Sequence, residues 1–158
     1  MESILDYLLY NKRGRKTGTM VQTDLSGDWA TRLAPSVDEL KSLALNAYAH
    51  MPDEFRALSP QIRIEVADFP DEQVMEDLDL DTPYDILCLF EGRGVGERFH
   101  LRAQEGPEVL TLYRRAILDY WSENTETLGE IIGHILLHEI GQSLGLSEAE
   151  MERLGSQH

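Results

Sequence analysis

Leu128, Ile131, Ile132, Ile135, Leu136, Ile140 and Leu144 recur at helical spacing. They predict a helix with a broad apolar face, around which the rest of the chain must be arranged. Thr127-Leu128-Gly129-Glu130 has the form of a capping box, in which the Thr and Glu side chains satisfy free amides at a helix start. A polar stripe runs along the same helix at every fourth residue: Glu130, His134, His138 and Gln142. Residues four apart lie one above another on a helix. Gly145 then permits a left-handed turn. Ser147-Glu148-Ala149-Glu150 is a second capping box that starts a final helix, so the chain doubles back and Glu148 is expected to approach His138.

Upstream the pattern is mixed. Ser36-Val37-Asp38-Glu39 is a further capping box, and Val37, Leu40, Ala44, Ala47, Tyr48 and Met51 follow at helical spacing before Pro52 ends the helix. From Gln61 to Val66 the residues alternate, with Ile62, Ile64 and Val66 on one face of a half-buried strand. The apolar run in Asp85 to Phe90 predicts a buried strand. Glu108 to Tyr113 is a third strand candidate, and Arg114 to Trp121 predicts a short helix. A chain of 158 residues built this way reads as one α+β domain with its own core.

Two other motifs do not carry chemistry. Asp77, Asp79 and Asp81 have the spacing that opens a calcium loop, but Thr82 stands where Gly is required and Cys88 where Glu is required. The segment Asp68 to Asp85 is therefore read as a solvated acidic loop. Gly92-Arg93-Gly94-Val95-Gly96 lacks the Lys-Ser/Thr of a phosphate loop and reads as a flexible turn.

A net charge of −15 argues against nucleic acid, whose phosphates need Lys and Arg, and against an anionic membrane surface. It favours solubility and basic peptide segments as partners. Cys88 is the single cysteine, which suits a reducing cytoplasm. No apolar run approaches the roughly 20 residues of a membrane span. Residues 1–20 differ from the remainder: an apolar patch from Ile4 to Tyr10 precedes Lys12, Arg13, Arg15 and Lys16, the reverse of a secretory signal. They read as a flexible or non-native arm ahead of a start at Met20, or as a basic arm for a partner. Residues 21–158 form the single domain.

The chemistry lies in His138-Glu139-Ile140-Gly141-Gln142. In the zinc-hydrolase pattern H-E-x-x-H, two histidines four apart hold the metal and the Glu between them is the general base. Here Gln142 replaces the second His, and its amide oxygen is a neutral donor where zinc favours imidazole, thiolate or carboxylate. A His beside a Glu also suits a plain polar helix face. His134, one turn before His138, is a substitute ligand, but a His134–His138 pair has no Glu between its members.

Residues 138 to 148 resemble the minimal zincin-like metallopeptidases, small bacterial proteins with the pattern H-E-x-G-H-x-x-G-L-S-D. The chain matches at His138, Glu139, Gly141, Gly145, Leu146 and Ser147, and departs at Gln142 and Glu148. Met51-Pro52-Asp53-Glu54-Phe55, Leu89-Phe90-Glu91-Gly92 and Leu110-Thr111-Leu112-Tyr113-Arg114-Arg115 are similar to the family's upstream segments. The resemblance thus covers about residues 36 to 154. It implies a zincin-like α+β fold, with a small mixed sheet packed against an active-site helix and an N-terminal helix. It implies zinc as cofactor, with His138 as first ligand, Gln142 at the second position and Glu148 at the third. It further implies Glu139 as the catalytic base of peptide hydrolysis, with Tyr113 and Arg114 as candidate oxyanion donors. A peptide or protein substrate is then expected as an added strand along Asp85 to Gly92.

Three readings stand open on the sequence: a metallopeptidase weakened by Gln142, an inactive pseudo-enzyme that binds peptide or protein without cutting, and a metal site rebuilt through His134.

Overall fold

The computed structural model describes residues 31–59, 61–92 and 108–155. The N-terminal arm and most of the glycine-rich turn after Phe90 lie outside these residues. Helix α1 (Val37–Ala49) starts at the expected capping box, where Ser36 and Glu39 satisfy each other's backbone amides. A short helix α2 (Asp53–Leu58) follows Pro52 and buries Phe55.

Strand β1 (Arg63–Ala67) leads into the acidic segment. That segment is more ordered than a charged loop: helix α3 (Glu72–Asp77) forms within it. The reason is local. Asp71 caps the helix through Val74 N–H at 2.8 Å, and the Val74 side chain is buried beneath it. Asp85 likewise accepts hydrogen bonds from the Thr82 amide and hydroxyl. Several of these acids serve turns, and Asp79 takes a positive φ of 50°, a conformation Asp tolerates better than most residues.

Strands β2 (Cys88–Glu91) and β3 (Val109–Tyr113) complete a three-stranded sheet in the order β1-β3-β2. The central β3 runs parallel to β1 and antiparallel to β2. This register aligns Ile64, Leu110 and Phe90 in one row and Val66, Leu112 and Cys88 in the next. Period-2 alternation puts both rows on one face, and that face is the buried one. Glu65, Thr111 and Leu89 form a row on the other face and are half-exposed.

Helix α4 (Arg114–Glu123) begins where β3 ends. Its Arg114 donates from Nη1 to Asp68 at 2.8 Å and from Nε to the Pro35 carbonyl, tying the end of β1 to the entry of α1. The guanidinium expected to face an oxyanion therefore has structural partners. Tyr113 is buried in the core.

Helix α5 (Leu128–Ser143) is the central element. It touches α1, α4, β2 and the final helix α6 (Glu148–Gly155). Its apolar residues Ile131, Ile132, Ile135, Leu136 and Ile140 are fully enclosed. With α5 surrounded on several sides, the polar stripe is not simply a wet face, and His138 is only 3% exposed. Among the described residues, no helix is long and apolar enough to cross a membrane.

Candidate functional site

The turn after α5 is built by the second half of the motif. Gly145 has φ 75°, its N–H bonds to the Gln142 carbonyl, and the Leu146 N–H bonds to the Gly141 carbonyl. This pair is the Schellman arrangement that satisfies the last carbonyls of a helix. Ser147 and Glu150 then cap α6 reciprocally. Helix α6 folds back so that Met151 lies against the bare Cα of Gly141. A Cβ there would meet Met151 Sδ at 2.5 Å and Cγ at 2.9 Å. Gly141, Gly145, Leu146 and Ser147 thus have packing and turn roles.

The first half of the motif sits on the buried part of α5. His138 and Gln142 stack one turn apart, with Gln142 Nε2 3.4 Å from His138 Nε2. An amide nitrogen can only donate. With the amide nitrogen as donor, the imidazole Nε2 is the accepting atom of this pair. On the other side of the ring, His138 Nδ1 lies 3.7 Å from Glu139 Oε1. The Glu139 side chain is 17% exposed, so it rests largely on the core.

Cys88 on β2 is the neighbour that sequence reasoning missed. Its thiol is pushed well above its ordinary value, first by burial and then by the charge and hydrogen bond of the Glu139 carboxylate. Strand alternation alone puts Cys88 on the core face. Nothing in the sequence tells which helix residue crosses it. The contact places Glu139 under β2, the strand at one end of the sheet.

The other expected ligands do not join this pair. Glu148 is exposed in the first turn of α6. His134 turns to a different carboxylate, with Nδ1 3.3 Å from Glu126 Oε1. Among the described residues, no three His, Cys, Asp or Glu side chains gather closely enough to hold a metal ion. One imidazole whose lone pair meets a neutral amide is a poor donor set for zinc, which takes four ligands in a closed site or three beside a water. The residues at hand do not fit the metal as arranged.

No curated protein matches the chain. The family model for zincin-like metallopeptidases, however, matches residues 60–157, from the entry of β1 through the end of α6. That span takes in the mixed sheet, helix α5 with its His138-Glu139 pair, and the turn into α6, and on this match the chain belongs to the zincin-like metallopeptidase family.

Proposed function

We propose that this family member receives an extended peptide segment beside β2 and holds it without efficient hydrolysis. The observation that carries this reading is the Gln142 amide aimed at His138 Nε2, where the family pattern sets a second imidazole and the metal between them. Zinc is the metal the family implies, and His138, Gln142, Glu148 and His134 are its candidate ligands, but a single imidazole and an amide favour weak binding. Among the described residues β2 pairs only with β3. β2 stands at the end of the strand order β1-β3-β2, the position at which an extended peptide adds as a strand through main-chain hydrogen bonds.

A second reading, a slow zinc peptidase, is favoured by Glu139. Its carboxylate lies beside His138 and interacts with the Cys88 thiol of β2, which puts a candidate general base next to the strand where a peptide would add. In that reading Glu139 holds the proton taken from the attacking water.

Zinc analysis of the parent, Gln142→His and His138→Ala separates the two. Metal at this centre is defined as metal that His138→Ala removes. Absence of such metal in the parent and its appearance in Gln142→His support the binding reading. Stoichiometric metal of this kind in the parent, with peptide hydrolysis that Glu139→Gln abolishes, establishes the peptidase.

A further inference from the structure

A cleft of about 430 Å³ opens between the end of α1, the first half of α5 and the end of α6. Ala47, Met51, Pro52, Leu137 and Leu154 give it an apolar lining. Gly129 and Gly133, one turn apart, form its α5 side. Among the described residues a Cβ at either would meet nothing within 4 Å, so no described packing requires a glycine there. Gly133 is interior to α5, where glycine is destabilising relative to alanine and is used where another stretch of chain must come close.

The rim of the cleft is acidic. Glu130 lines it, and its Oε2 accepts from the Thr127 amide and hydroxyl. Asp53 and Glu54 are exposed directly after Pro52, and Glu152 is exposed just before Leu154. Against them stand Arg56, which pairs with Asp53, and Arg153.

One segment of this chain has the matching chemistry. In the N-terminal arm, Ile4, Leu5, Leu8 and Leu9 form an apolar patch with Tyr7 and Tyr10, and Lys12, Arg13, Arg15 and Lys16 follow directly. The arm joins the described residues at the entry of α1, which Arg114 holds through the Pro35 carbonyl. The cleft lies at the far end of α1, whose 13 residues make it about 20 Å long. Residues 11–30 can span about 65 Å when extended, so the apolar patch reaches the cleft with chain to spare.

We propose that the N-terminal arm docks in this cleft, with the Ile4 to Tyr10 patch against Met51, Leu137 and Leu154 and the basic run over Glu130 and Glu152. Burial of the apolar side chains holds the segment. The charges orient it, and salt screens their contribution. This assignment is independent of what β2 receives and of whether His138 binds a metal.

The test is nuclear magnetic resonance of the full chain carrying Leu8→Cys with a nitroxide on the new thiol. Cys88 is buried and takes no label in the folded protein. The expected result is paramagnetic loss of the backbone amide signals of Ala47, Gly133 and Leu137, with those of α3 retained. Gly133→Leu, which fills the cleft, should restore those signals. Reversal of the arm by Lys12→Glu, Arg13→Glu, Arg15→Glu and Lys16→Glu together should restore them as well, in a variant that leaves every core residue in place. Loss spread evenly over the chain, or centred away from the cleft, overturns the proposal. Persistence of the loss in either folded variant overturns it too. Signal loss in an unlabelled chain mixed with the nitroxide-bearing one overturns it and assigns the cleft to a second copy.

Discussion

Gln142 Nε2 lies 3.4 Å from His138 Nε2, one helical turn along α5. The amide does locally what a metal would otherwise do, satisfying the lone pair of a buried imidazole. Gln142→Ala removes that donor and leaves the imidazole nitrogen enclosed. The expected loss is about 1 kcal/mol of stability, the ordinary net worth of such a hydrogen bond, measured by urea unfolding. A neutral or stabilising result would show that the amide has no structural role.

Gly141 predicts a packing effect. Adding a methyl brings it within 2.5 Å of Met151 Sδ, and Met151 is 2% exposed, so its side chain has little room to retreat. Gly141→Ala should cost about 1–3 kcal/mol, the usual range for overpacking a core. The cost should be partly recovered in the double variant with Met151→Ala, a non-additivity that a double-mutant cycle measures.

Cys88 should behave as an inert thiol. Burial is the larger cause of its raised value and Glu139 the smaller. Iodoacetamide should leave the folded protein unmodified and label it in denaturant. In Glu139→Gln the native-state labelling rate should rise, because more of the thiol ionises, but it should stay far below the unfolded rate. An unchanged rate would show that the carboxylate does not act on the thiol.

Acid should weaken the helix starts. The Ser36 backbone amide, with its hydroxyl, holds the Glu39 carboxyl below the ordinary 4.5, and Ser147 does the same for Glu150. Lys41 lowers Glu65 through a hydrogen bond from α1 to β1. A carboxyl whose folded value is depressed adds stability above its unfolded value and loses it as pH falls through the folded value. Unfolding midpoints should therefore fall as pH drops from about 6 to about 3. Glu39→Gln should flatten part of that decline.

Helices and strands were legible because their signals are local. The capping boxes at Ser36, Thr127 and Ser147 all form, and the alternation around Ile64 gives the inward face of β1. The turn at Gly145 was also readable, since it needs one residue with positive φ. The acidic segment misled because net charge concealed a short helix held by the Asp71 cap and one buried valine. Partnerships across elements were not legible at all. Cys88 meets Glu139 and Glu126 meets His134 only because β2 and the α4–α5 junction pack on α5. His134 and His138 share a stripe in the sequence, yet their neighbours pull them toward different carboxylates.

The parallel pairing of β1 with β3 has a kinetic consequence. Arg63 must find Val109 across the whole of α3 and β2, so the loop-closure entropy is met before any strand contact repays it. The α5–α6 hairpin, by contrast, is joined by a turn of a few residues. Its contacts are expected to form before the β1–β3 pairing. Chains stalled before the β1–β3 pairing would therefore carry the α5–α6 hairpin without a complete sheet.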